Sequence, residues 1–334
     1  MDPVLSILYR NIEQIQSNAW LLGIPSTSGP IPEKELLFCT TFDAQALNNW
    51  QTHNVHLGWI EPDTYRNQVI LYLSKSKPET TMLIDLAVSY LSQSGGQLWI
   101  VGENSGGVKS VPAILEAKNL QGYKLDSARH CAIYTVEVAV TTDSSKPDIH
   151  QYFKKFRVEA NVQLSSLPGV FSHQRLDQGT ALLLNTLPDK ISGPVLDFGC
   201  GCGVVGTHIL KKHPGLEVDF LDISWLAVQS AKNTVAINAV KAREFYCQNG
   251  ISSLANSYRL IVSNPPFHDG VRTNYSATEQ FLDEAYSKLA IGGELIIVAN
   301  QFLKYEPIIK QRFGSVTEVN RSEGFKILQA KRVR

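Results

Sequence analysis

The chain has 334 residues, 43% of them hydrophobic and 19% charged, and its 31 basic side chains are balanced by 31 acidic ones. That length accommodates two domains of ordinary size, each with its own core, and no apolar run approaches the length that spans a bilayer. A formal charge of zero excludes a protein that captures naked RNA by charge alone.

The first thirty residues include Asp2, Glu13 and several amides and lack the long apolar core of a secretory signal. Five cysteines, Cys39, Cys131, Cys200, Cys202 and Cys247, are an odd number without a paired framework, which suits a reducing compartment. A cytoplasmic protein is expected. Charge is uneven along the chain: 13 basic against 16 acidic residues through Pro168, then 18 against 15, so the second half carries +3.

In the first half, residues 36–40 read as an opening strand with no alternating glycines behind it. Leu71 to Pro78 parallels Arg259 to Pro266, and Leu91 to Asn104, with its Gly95-Gly96 pair, parallels Leu289 to Gln301 with Gly292-Gly293. A duplicated fold explains the echo, the first copy having Ser76 where the second has Asn264. From Pro78 to Gly95 is 17 positions against 26 from Pro266 to Gly292, so about nine extra residues, from His268 through Ser276, form a candidate substrate loop in the second copy.

The turn-rich stretch Asp143 to Asp148 marks the boundary, dividing the chain into 1–150 and 151–334. Beyond it Phe156 to Leu164 alternates like one strand, and Leu176-Asp177-Gln178-Gly179-Thr180 leads into a Leu-rich helix. Apolar runs of strand length at 195–198, 218–221, 259–263 and 294–299 then alternate with helical periodicity at 203–212, 224–238 and 276–290. Such alternation predicts a parallel sheet covered on both faces. A helix near 305–313 and a terminal hairpin, 316–319 with 326–330, complete the chain.

Two stretches of the second half carry chemistry. Pro194 to Gly206 is a strand ending in Asp197 and opening into Gly199, Gly201 and Gly203 at alternate positions. Glycines let a backbone pass close to a ligand in conformations that a Cβ forbids. No Lys-Ser/Thr pair follows, as a P-loop requires, and the third glycine is too near for the dinucleotide fingerprint. Cys200 and Cys202 lie inside this loop, and no second cysteine pair joins them and His208 or His213, so no metal is expected.

The second stretch, Ser263-Asn264-Pro265-Pro266-Phe267, sets an amide, two prolines and an aromatic ring at the end of an apolar strand. An exocyclic amino group offers two donors in one plane. The Asn264 side-chain oxygen and the Pro265 carbonyl can accept both while Phe267 covers the ring face, and the prolines hold the turn rigid. An ordinary Asn-Pro turn is the other reading.

The glycine spacing behind an acid resembles the cofactor loop of S-adenosylmethionine-dependent methyltransferases. Asp222, ending the next strand, stands where such proteins hold the ribose hydroxyls; it also suits a helix cap before Ser224. With Val-Gly-Glu-Asn at 101–104, Asp-Ser-Ala-Arg at 126–129, Leu-Pro-Gly-Val-Phe-Ser at 167–172, Leu-Asp-x-Gly at 176–179 and Ser-Asn-Pro-Pro-Phe-His-Asp-Gly at 263–270, the whole chain resembles the ribosomal RNA small-subunit methyltransferase C family. Cys202 stands where that family usually has a smaller residue.

The resemblance implies two tandem Rossmann-like methyltransferase domains in an α/β fold, each a duplicate of the other. The catalytic half has a mostly parallel seven-stranded sheet with a terminal antiparallel strand, and the first half is degenerate and without cofactor. It implies methylation of the N2 amine of a guanine, at the position conventionally called 1207 in 16S rRNA, preferably in the assembled small ribosomal subunit. S-adenosylmethionine is the cofactor, with neither membrane nor metal as partner, and a monomer is expected. Large-subunit guanine-N2 methyltransferases share the Asn-Pro-Pro-Phe-His string, and a non-catalytic RNA-binding assembly factor is the alternative of another class.

Asn264, Pro265 and Phe267 are the catalytic candidates. Asp197, Gly199, Gly201, Gly203, Asp222, Ile223 and Asn249 are implied for the cofactor, with Phe171, Asp177 and Gly179 closing the pocket. His268 is either a proton acceptor or a loop residue, and Arg272 either meets RNA phosphate or is a solvated cation.

Overall fold

The structure, a computed structural model, describes residues 2–27, 29, 31, 37–50, 54–141, 145–158, 161–171, 176–265, 268, 269, 272, 273 and 275–334, without the side chains from 268 to 277. Two compact units divide it, Met1–Phe153 and Lys154–Arg334.

The first unit contains α1 (Pro3–Arg10), β1 (Trp20–Leu22), β2 (Phe38–Thr41), α2 (Ala44–Asn49), β3 (Asn54–Leu57), β4 (Gln68–Tyr72), α3 (Lys77–Leu91), β5 (Gly96–Glu103), α4 (Val111–Glu116), β6 (Gly122–Ala128) and β7 (Cys131–Val138). Its seven-stranded sheet has the order β3-β2-β1-β4-β5-β7-β6, parallel except where β7 runs antiparallel to both neighbours. β1 and β4 are buried along their whole length, as strands covered on both faces must be. Trp20 meets Tyr90 of α3 edge to face at 4.9 Å.

The second unit opens with β8 (Lys154–Val158) and β9 (Val162–Ser166), an antiparallel pair. The alternating stretch read as one strand is therefore a hairpin, and Asn161 takes its positive φ of 56° in the turn. Alternation is continuous across the pair, so the pattern alone hides the reversal. There follow α5 (Gln178–Thr186), β10 (Val195–Phe198), α6 (Val204–Lys212), β11 (Val218–Asp222), α7 (Trp225–Ile237), β12 (Glu244–Cys247), β13 (Tyr258–Ser263), a short pair β14 (His268–Asp269) and β15 (Arg272–Thr273), α8 (Tyr275–Lys288), β16 (Leu289–Asn300), α9 (Glu306–Phe313), β17 (Thr317–Ser322) and β18 (Phe325–Lys331).

The large sheet has the order β12-β11-β10-β13-β16-β18-β17, with β18 alone antiparallel to its neighbours. Phe198 stacks on Phe281 of α8 at 4.4 Å in a core that also holds Tyr258, Leu282 and Tyr305. Every residue of the edge strand β17 is exposed, and the Glu318–Arg321 ion pair charges its surface against pairing with another sheet.

The two sheets superpose by strand order, and hydrogen-bond register fixes which residues correspond. Leu22 lies opposite Leu71 as Phe198 lies opposite Ser263, and Ile24 N–H bonds Thr40 O at 3.0 Å as Cys200 N–H bonds Leu221 O at 3.0 Å. The opening strand of the first copy is thus β1, and residues 38–41 hold the place of β11, which corrects the reading of 36–40. Tyr72, and not Ser76, corresponds to Asn264. Ser76 instead caps α3 through Glu79 N–H. From Leu73 to Gly95 is 22 positions and from Pro265 to Gly292 is 27, so the second copy has five extra residues here rather than nine. The prolines of the two copies do not occupy equivalent positions in this register.

At the second unit's cofactor-type positions the first unit has apolar or unreactive groups. Leu21 replaces Asp197, Pro25 replaces Gly201, and Thr41 replaces Asp222. Thr41 is buried and spends its hydroxyl on Ile24 O at 2.8 Å.

Candidate active site

In open α/β sheets ligands bind beyond the carboxyl ends of the strands, where strand order reverses. In the second unit that point lies between β10 and β13, and a cavity of about 580 Å³ opens there.

One wall is the loop between β10 and α6. Gly199, Gly201 and Gly203 all have positive φ, at 67°, 53° and 80°. The Gly201 N–H donates to Asp222 Oδ2 at 2.9 Å, while Ser224 N–H donates to Asp222 Oδ1 at 2.9 Å. Asp222 therefore ties the glycine loop to the end of β11, and its carboxylate lines the cavity. The helix cap is Ser224, whose Oγ accepts from Ala227 N–H. A Cβ on Gly201 would find its nearest neighbour, Phe171 O, only at 4.0 Å, so the space over this residue is open to a ligand.

Asp197 forms the floor at 2% exposure and accepts Gly206 N–H at 2.8 Å. Burial raises its pKa from 3.8 to about 7, a rise that this N–H opposes and the nearby Asp222 charge reinforces. Burial also pushes Cys202 up to about 12 and Cys200 well above the ordinary thiol value, so both thiols stay protonated. Among the described residues no group of three or more His, Cys, Asp or Glu side chains could hold a metal ion.

The opposite wall is the end of β13. Asn264 Nδ2 donates to Thr180 Oγ1 at 2.9 Å and lies 3.3 and 3.5 Å from the two oxygens of Asp177. Asp177 is the N-cap of α5 and accepts Thr180 N–H at 3.1 Å. Ser263, one residue back, is anchored to Phe198 O at 2.8 Å, which locks β13 to β10 just beneath the site.

The cavity brings together Asp197, Gly199, Gly201, Asp222, Ile223, Phe171, Asp177, Asn264 and Pro265. Phe171 stands at its mouth, 64% exposed. Three other candidates lie off the wall. Gly203 faces α7, where a Cβ would come within 2.9 Å of Ala231 Cα, so that glycine serves helix packing. Gly179 clears the ring of Phe325, which a Cβ would approach to 2.9 Å. Asn249 is exposed in the turn after β12. Phe267 lies outside the described residues, as do the side chains of His268 and Arg272.

Sequence reading missed Thr180, Asn300 and Phe325, all of which line the cavity. Thr180 follows the capping residue Asp177 by three, a visible signal. Asn300 ends an apolar strand, and Asn264 directly follows one. Phe325 arrives from the antiparallel strand β18, opposite Asn300, and nothing local to it announces the position.

The cavity is lined by three aspartates, and one rim presents a fixed amide. Such a site suits a cationic, hydroxyl-bearing ligand beside a planar amine. Fold and site define a Rossmann-like methyltransferase of the class that uses S-adenosylmethionine. Family models agree in both units: residues 161–329 match the methyltransferase small domain and residues 6–156 its N-terminal counterpart.

The ribosomal RNA small subunit methyltransferase C of Pseudomonas putida KT2440 is 36% identical over 99% of this chain and 100% of its own length. That of Pseudomonas syringae pv. syringae is 37% identical over the same shares, and that of Vibrio vulnificus 40% identical over 81% of this chain and 79% of its own length. The chain belongs to the ribosomal RNA small subunit methyltransferase C family. In fold it is similar to the T. thermophilus 16S rRNA N2 G1207 methyltransferase, RsmC, solved in complex with AdoMet and guanosine. Their TM-score is 0.81 at 23% identity, covering 100% of this chain and 92% of the other.

Proposed function

We infer that this chain transfers a methyl group from S-adenosylmethionine to the exocyclic N2 of guanine 1207 in 16S rRNA. The observation that carries the reading is a cavity joining the acid-backed glycine loop to the amide of Asn264, in a chain related end to end to enzymes named for small-subunit rRNA methylation.

The residues present fit the cofactor. Asp222 would hold its ribose hydroxyls, Ile223 a face of its adenine, and the Gly199–Gly201 backbone with Asp197 its amino-acid end. When bound, it supplies a methyl group on a cationic sulfur, already a strong electrophile. The difficulty lies in the amine, whose lone pair is delocalised into the purine ring. Asn264 Oδ1 and the Pro265 carbonyl accept its two N–H groups, and these bonds strengthen as positive charge grows on nitrogen, so the transition state gains more than the ground state. Phe267 completes the reading as a stacking face that orients the base in line with the methyl group. No base need act before attack. A guanine whose edge is paired must be extruded to reach the cavity.

The first unit, with Leu21, Pro25 and Thr41 at the cofactor positions, has the role of scaffold and added contact area in this reading, and catalysis belongs to residues 151–334. A neutral chain with a mildly basic catalytic half relies on a shaped ribonucleoprotein surface, so the assembled small subunit is the preferred substrate. The charged edge strand β17 favours a monomer, and a ribosomal substrate places the protein in the cytoplasm. Among the described residues no helix is long and apolar enough to cross a membrane.

The test compares initial rates of labelled methyl transfer to small subunits lacking the modification, to free 16S rRNA and to large subunits, at equal concentration and across salt. Fastest transfer to small subunits is expected. Faster reaction with free 16S rRNA refutes the particle preference, and label confined to large-subunit RNA refutes the assignment of substrate.

A further inference from the structure

An amide is an acceptor at one end and a donor at the other, so gripping an amine requires Asn264 to face it with oxygen rather than nitrogen. Terminal amide torsions are soft and nearly two-fold, and the wrong orientation is close at hand unless neighbours forbid it. We propose that Thr180 and Asp177 are positioning residues that hold the Asn264 amide with its oxygen toward the substrate amine. The proposal rests on the reading of Asn264 given above.

The contacts form a chain with one direction. Asp177, a carboxylate, can only accept. Its Oδ2 accepts a hydrogen bond from the Thr180 hydroxyl, and its Oδ1 accepts Thr180 N–H at 3.1 Å. With its proton committed, Thr180 Oγ1 can offer Asn264 only a lone pair, and it accepts from Nδ2 at 2.9 Å. Asp177 Oδ1, 3.3 Å from the same nitrogen, attracts it further. Turning the amide over would set its oxygen against a carboxylate and a hydroxyl oxygen whose proton points elsewhere, leaving three acceptors in mutual contact. The polarity set at the first turn of α5 thus passes through one hydroxyl to the end of β13, 84 residues away in sequence. Thr180 is 4% exposed, which shields its hydroxyl from bulk water.

Three full-length variants test the chain under single-turnover conditions on small subunits: Thr180→Val, which keeps the shape and loses the hydroxyl; Thr180→Ser, which restores it; and Asp177→Asn, which keeps a good helix cap but replaces one acceptor by a donor. The expected result is a methyl-transfer rate about 10- to 100-fold lower for Thr180→Val and Asp177→Asn, less than deletion of a whole transition-state contact costs. Cofactor affinity should stay near that of the parent for Thr180→Val, the melting temperature should stay near the parent's for both slowed variants, and Thr180→Ser should recover most of the rate. In an Asn264→Ala background the Asp177→Asn change should have no further effect on the residual rate, whereas a purely structural role would keep its full effect there.

Parent-like rates for Thr180→Val and Asp177→Asn, with Asn264→Ala strongly slowed, overturn the positioning proposal and leave the role of Asn264 standing. A parent-like rate for Asn264→Ala overturns the role of Asn264 itself. Should Thr180→Val lose its cooperative melt, Asp177→Asn alone decides.

Discussion

Replacing Asp222 by Asn separates a ribose-binding carboxylate from a generic polar residue, because both its oxygens are already in use. They accept Gly201 N–H and Ser224 N–H, each at 2.9 Å, and under the proposed function the same carboxylate receives the ribose hydroxyls. An amide has one acceptor atom, so its NH2 must oppose one of the two backbone donors. Leaving a partly buried N–H unsatisfied costs about 1–3 kcal/mol, and a hydrogen bond to a charged group contributes about 1.5–3 kcal/mol. Some of the first cost appears as lost stability and some as a loosened glycine loop. Cofactor affinity should therefore fall by about 2–4 kcal/mol, roughly 30- to 1000-fold. Asp222→Asn should be at least as damaging as Asp222→Ala. Calorimetric titration should find the same loss for S-adenosylmethionine and for its demethylated product, because the proposed partner of Asp222 is the ribose and not the charged sulfur. Binding by Asp222→Asn within threefold of the parent, or a loss confined to the methylated form, would refute the reasoning.

Calorimetry on the full chain should give one cofactor equivalent, since Leu21, Pro25 and Thr41 leave the first unit without the acids and the N–H that Asp197, Gly201 and Asp222 supply; two equivalents would contradict this. Asp197 links binding to pH. Its folded pKa, raised by burial from 3.8 to about 7, means that the free folded state holds a proton the unfolded chain has lost, so cofactor-free stability should fall as pH rises through that window. A cationic ligand favours the carboxylate, so titrations near pH 6 in buffers of different ionisation enthalpy should show proton uptake by the buffer, and affinity should rise about tenfold from pH 6 to 8. Asp197→Asn should abolish that dependence, and a flat profile in the parent would count against it. At the other end of the sheet Asp219 is fully buried and held by Arg243 at 2.6 Å and Tyr258 Oη at 2.7 Å. Arg243→Met should cost about 3–5 kcal/mol by stranding that charge, lowering the melting temperature on the order of 10 °C; an unchanged melt would show that the pair contributes nothing net.

The strands at 195–198, 218–221, 259–263 and 294–299 and the helices between them were legible because a sheet covered on both faces writes itself as apolar runs, whereas the edge strand β12, with no buried residue, has no such run. The acid, the glycines and the Asn-Pro-Pro turn were legible because each is local. Where the reading slipped, the deciding interaction was not local. Register between the copies is set by strand pairing, which prolines and glycine pairs do not report, and so Ser76 took the place belonging to Tyr72. Gly203 resembles its neighbours in sequence, yet its demand comes from Ala231 on the next helix. Thr180 and Phe325 reach the cavity from a preceding helix and a returning antiparallel strand, and neither approach can be counted off from Asn264.

The chemical identity of the product tests the central claim most directly. Small subunits lacking the modification should be incubated with the protein and S-adenosylmethionine carrying a heavy-isotope methyl group, and their 16S rRNA digested to nucleosides and to mapped fragments for mass spectrometry. The label should appear as N2-methylguanosine at position 1207. Label in a methylated adenosine, at another guanine, or only in 23S rRNA would contradict the account.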